Sequence, residues 1–109
     1  MLSDQYELRY LPLFHEELKE RALYIAKDLQ EPETAINLID EVEEAIRKRI
    51  SLNPEGYESI SSKRDPGVKY YRIYVKEYII YYAILEEDGK KIMEPRRFVH
   101  RLEDRDRKV

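Results

Sequence analysis

The apolar residues of this chain keep a helical period in its first half and crowd into β-branched and aromatic runs from Lys69 onward. One secondary structure cannot span that change, because a helix repeats its faces about every 3.6 residues and a strand about every two. Phe14, Leu18, Ala22, Ile25 and Leu29 recur at steps of three and four and draw one stripe. Ala35, Ile39, Val42, Ile46 and Ile50 draw a second. Pro12 and Pro32 stand at the head of the two runs, where a missing N–H and a φ already near helical cost nothing. The intervening Gln30-Glu31-Pro32-Glu33 breaks the first helix and starts the next, and Arg47, Lys48 and Arg49 suit the dipole at the end of the second. The spacing predicts a helical hairpin over roughly residues 12–50.

Strands flank the hairpin. Tyr6 to Leu11 alternates apolar and polar, the pattern of a half-buried strand. Residues 53–68 carry turn chemistry throughout (Asn53-Pro54-Glu55-Gly56, Ser59, Ser61, Ser62, Asp65-Pro66-Gly67) and read as a long loop, a length often tied to function. Lys69 to Val75 and Tyr78 to Leu85 read as strands joined through Lys76-Glu77. After the turn Glu86-Glu87-Asp88-Gly89, Lys90 to His100 reads as a last strand, in which Pro95 implies a sheet edge or a bulge. The order is β-α-α-β-β-β in a single domain over residues 1–109. Helices segregated from an antiparallel meander make an α+β fold with the hairpin packed on one sheet face.

Composition removes several function classes. With no Cys there is no disulfide framework, thiolate metal site or cysteine nucleophile. No apolar run reaches the roughly 20 residues that cross a bilayer, and the polar Ser3, Asp4 and Gln5 do not read as a signal peptide, so a cytoplasmic, non-membrane protein is expected. No His-x-x-x-His or clustered Asp/His spacing marks a metal site, and the isolated glycines form no phosphate loop; neither metal nor cofactor is expected. The net charge of -3 hides a division: residues 1–62 carry 7 basic and 14 acidic side chains, residues 63–109 carry 13 and 9. The later half can therefore attract phosphate although the whole chain is acidic.

In that half, Tyr70, Arg72, Tyr74 and Lys76 share one strand face while Tyr71, Ile73 and Val75 share the other. The second face is core-like. The first interleaves aromatics and cations, as stacking on bases and neutralising phosphates requires. His100 follows Arg96-Arg97-Phe98-Val99 and precedes Arg101, placing an imidazole among cations at a strand end. Cleavage of RNA by its 2′-hydroxyl needs a base, a cation for the phosphorane and a proton donor, which Arg72, Arg97 and His100 could supply as candidate catalytic residues. Arg64, Lys69, Tyr70, Tyr74, Arg96 and Arg101 are candidate contacts to a target or nucleic acid. His15, in the first helical turn, reads as surface.

Taken together, the order of elements and the later motifs resemble the RelE/ParE superfamily of toxins from type II toxin–antitoxin systems, over nearly the whole chain. The resemblance is carried by the strand Tyr6 to Leu11, the hairpin ending in Leu52-Asn53-Pro54-Glu55-Gly56, Tyr71-Arg72 leading to Tyr78-Ile79-Ile80-Tyr81-Tyr82, and Arg97-Phe98-Val99-His100-Arg101-Leu102-Glu103-Asp104. It implies a growth inhibitor held inactive by a cognate antitoxin, whose extended or helical segment wraps the toxin surface; a segment that folds on binding needs an exposed apolar groove to offset its ordering entropy. RelE-like members cut messenger RNA on the ribosome; ParE-like members poison DNA gyrase. The nuclease pattern places Arg after the first Tyr of the strand, where this chain has Ile79, and a later Arg near what is here Leu102. An Ile cannot neutralise a phosphorane, so the ParE-like reading is favoured over the endoribonuclease, with a non-toxic antitoxin-binding module as a further alternative. A homodimer is compatible with the sequence.

Overall fold

The computed structural model describes residues 6–106 and residue 109, so the expectation drawn from Ser3, Asp4 and Gln5 lies outside the described residues. The fold is α+β. Its elements are β1 (Tyr6–Leu8), α1 (Pro12–Leu23) continued by a π-helical turn (Tyr24–Asp28), α2 (Pro32–Ser51), β2 (Ser59–Ser61), β3 (Lys69–Val75), β4 (Tyr78–Glu87), β5 (Lys90–His100) and a 3-10 turn (Glu103–Asp106). The sheet runs β1-β5-β4-β3-β2, antiparallel except for β1, which lies parallel to β5 with Tyr6 opposite Lys91.

The helical stripes pack on one sheet face. Phe14, Leu18, Ala22, Ile25, Leu38, Val42 and Ile46 meet Tyr71, Ile73, Ile80, Tyr82, Met93 and Phe98 in the main core. Leu29, expected in the first stripe, is 48% exposed. The cause is the π turn: the Leu29 N–H bonds back five residues to Tyr24, and the extra residue in that turn rotates Leu29 off the buried face. Gln30 then leaves the helix with φ at 56°, without the glycine usual in that conformation.

Two further departures shape the site. The segment 53–68 contains a strand, β2, with Ile60 opposite Tyr70, so the order is β-α-α-β-β-β-β. Its three residues, Ser-Ile-Ser, are too short and polar to announce a period. The Tyr6–Leu11 segment forms ladder pairs only at Tyr6–Leu8, although the Arg9 and Leu11 N–H groups still donate to the Met93 and Pro95 carbonyls at 3.1 Å each. Pro95 has no N–H to return, and there the chain turns into α1. The bulge implied by Pro95 is present: Tyr82 faces Pro95 and Tyr81 faces Arg97, which leaves Arg96 without an opposite residue. Among the described residues no helix is long and apolar enough to cross a membrane.

Candidate functional site

The sheet face turned away from the helices is not the open cationic surface that alternation suggested. Tyr70, Ile79, Tyr81, Ala83 and Val99 bury themselves there in a second cluster with Val109. Tyr70 is 4% exposed, whereas Tyr74, further along the same strand, is 64% exposed. Lys76, grouped by alternation with that face, lies in the turn at φ 53° and its ammonium meets Glu41 of α2 at 2.9 Å.

Register places two of the three candidate catalytic residues in one row. Arg72 lies opposite Tyr81, and Tyr81 opposite Arg97, so the two arginines flank one buried tyrosine across three strands. At the ordinary strand spacing their Cα atoms stand about 10 Å apart. Arg72 is partly exposed and its nearest described carboxylate is that of Glu58, at 3.7 Å. Arg97 is held more firmly: its Nε donates to both carboxylate oxygens of Glu17 at 3.0 and 3.1 Å, which raises its pKa further. Glu17 also accepts the Phe98 N–H at 2.9 Å, satisfying the strand edge beyond the end of β1.

The bulge brings Arg96 to the same side as Arg97. In a regular strand neighbours point to opposite faces, yet both arginines line one cavity of about 150 Å³ with Ser62, Arg64, Tyr70 and Val109. Arg96 donates to Glu94 at 2.8 Å, to Asp65 at 3.1 Å and to the Tyr70 hydroxyl at 2.6 Å. Tyr70 donates in turn to Asp65 at 2.6 Å; burial first, then Asp65, pushes its phenol pKa up. The loop before β3 is thereby pinned to the sheet, aided by the buried Ser62, whose hydroxyl accepts the Arg64 and Asp65 N–H groups. Charge on these arginines is thus largely matched within the fold.

His100 stands elsewhere. It faces the helix side, edge-on to Tyr78, and lines a recess of about 250 Å³ with Glu17, Arg21, Tyr24, Phe98 and Glu103. Arg21 lies over the Tyr24 and Tyr78 rings at 5.5 and 5.7 Å. The structure joins Arg72 and Arg97 through Tyr81 and gives His100 a separate recess, to which Arg97 is linked through Glu17. Lys69, Arg64 and Arg101 are exposed, Arg101 lying 3.6 Å from Glu77. Sequence reasoning missed Glu17, Asp65 and Glu94, the carboxylates that hold the basic residues. No periodicity marked them. The one available signal was Glu94 itself, an acid beside Pro95 at an interior position of a strand.

A groove of about 440 Å³ opens between α1 and α2, lined mainly by Tyr10, Phe14, Leu18, Leu23, Ile39 and Ile46. No protein-family model matches the chain, and no curated protein matches it.

Proposed function

We propose that this protein is the toxin of a type II toxin–antitoxin pair, acting in the cytoplasm as a ParE-like poison of DNA gyrase and neutralised by a cognate antitoxin. The α+β architecture agrees with the fold that the RelE/ParE resemblance implies. The groove between α1 and α2 offers the antitoxin an apolar seat, and burial there offsets the entropy of ordering a segment that folds on binding. The observation that carries the choice of mechanism is Ile79. It is 4% exposed and packed in the second cluster, so the place where nuclease members carry Arg is committed here to the interior. Arg72, the more exposed member of the row, is the contact to the target, and Arg97, fixed by Glu17, orders the surface around it.

Induced expression tests this with protein synthesis and DNA integrity followed separately. The reading predicts gyrase-linked DNA breaks while translation continues. An immediate stop in translation with cleaved messages would replace it with the ribosome-dependent endoribonuclease built on Arg72, Arg97 and His100. Undisturbed growth at high soluble expression would leave an antitoxin-binding module without toxicity.

A further inference from the structure

The chain leaves β5 through a turn organised around one imidazole. His100 Nδ1 accepts the Leu102 N–H at 3.1 Å, and the His100 N–H donates to Glu103 at 2.9 Å. The Arg101 N–H bonds the Glu77 carbonyl at 2.8 Å and the Asp104 N–H bonds the Arg101 carbonyl at 3.3 Å. The turn delivers Asp104 to the Tyr81 hydroxyl, which donates to it. Tyr81 is fully buried on the face where Val109 also packs. The turn is therefore fastened by Asp104 over the centre of the Arg72, Tyr81, Arg97 row.

Only a neutral ring with its proton on Nε2 can accept at Nδ1. Protonation sets a second donor against the Leu102 N–H, and that hydrogen bond is lost. The charged groups facing the ring come from each neighbouring element. The β3–β4 turn supplies Glu77, 3.7 Å from Nε2, and Lys76, which is occupied by Glu41. Across the recess α1 supplies Glu17, occupied by Arg97, together with Glu20 and Arg21; the chain itself adds Arg101 and Glu103, and the phenols are Tyr24 and Tyr78. A protonated ring keeps Glu77 as a partner for Nε2 and has none at Leu102 for Nδ1.

We propose that His100 is a proton-operated latch: as the neutral imidazole it holds the turn that carries Asp104 onto Tyr81, and on protonation it loosens that turn over the sheet face between Arg72 and Arg97. The latch is independent of what that face binds. Amide hydrogen exchange of the full chain, measured residue by residue between about pH 8 and pH 5.5 and corrected for the intrinsic pH dependence, tests it directly. Protection of the Leu102 and Asp104 amides should fall about fivefold at the lower pH, the equivalent of one neutral hydrogen bond, with a midpoint matching the His100 ring resonances. Amides of α2 should keep their protection. His100→Asn supplies an acceptor that does not titrate, and should hold the turn at both pH values. The proposal is overturned if Leu102 protection is unchanged in the native protein, if the Asn variant shows the same fall, or if α2 loses protection in parallel. Should the variant fail to fold, the match or mismatch of midpoints in the native protein decides alone.

Discussion

Glu94 is 5% exposed and holds its place because two guanidiniums reach it, Arg9 at 3.0 Å and Arg96 at 2.8 Å. Removing one partner of a buried pair strands the others, which costs far more than the pair contributes relative to an apolar replacement. Arg9 keeps Glu87 and Arg96 keeps Asp65, so the penalty falls at the low end of the usual range. Glu94→Ala should lower stability by about 3 kcal/mol, read as a shift in the urea midpoint at constant m-value. Tyr82 supplies a second test. Burial pushes its phenol up to about 12, against the weaker downward pull of Arg49. The neutral phenol is the form the fold retains, so this stability is complete below the unfolded-state pKa of about 10 and is lost as pH rises toward 12. A shift of about two pH units corresponds to roughly 3 kcal/mol. Tyr82→Phe should flatten the alkaline fall in stability while lowering the neutral-pH value, because the bonds to Pro54 and Arg49 go with the hydroxyl. At this scale the sequence revealed which residues could be charged and concealed which were already matched: Arg97 looked available until Glu17, 80 residues earlier, was seen to hold it.

The β4–β5 hairpin turns through Asp88 and Gly89, with φ at 52° and 79°, the left-handed pair that an Asp-Gly sequence favours. No atom lies within 4 Å of a Cβ built on Gly89, so the cost of Gly89→Ala is conformational alone. It should destabilise by about 1 kcal/mol in chemical denaturation, and a larger loss would mean that the turn carries contacts beyond its backbone. Glu17 acts at the level of an element too, closing the free edge of β5 at Phe98. Glu17→Ala should speed exchange of the Phe98 amide and cost about 2 kcal/mol, since it leaves a strand N–H without its acceptor and takes the bidentate carboxylate from Arg97. Long elements were legible because period and capping agreed: α2 starts at Pro32, β3 spans Lys69–Val75 and β5 ends at His100, as read from residue pattern. Short-range irregularities were not. A π turn adds a single residue, visible only in Leu29 leaving its stripe, and β2 is stabilised by pairing with β3 and not by any pattern of its own.

Across the whole molecule, a sheet packed on both sides separates two surfaces of different character. The outer groove between the helices is apolar, whereas the far sheet face sets arginines around buried tyrosine beneath the chain's own C-terminal turn. Fold class followed from the sequence because binary patterning fixes which elements face a common core. The two-faced burial of the sheet did not follow, since alternation of Tyr70, Arg72 and Tyr74 reads the same whether a chain segment covers that face or solvent does. The proposed function makes Arg72 a contact to the target on this surface that contributes little to the fold. Growth arrest after induction of Arg72→Ala, measured beside the thermal midpoint of the purified variant, tests it most directly. Arrest should be lost while the midpoint stays within about 2 °C of the parent. Full arrest by the variant, or arrest lost only together with the folded state, would contradict it.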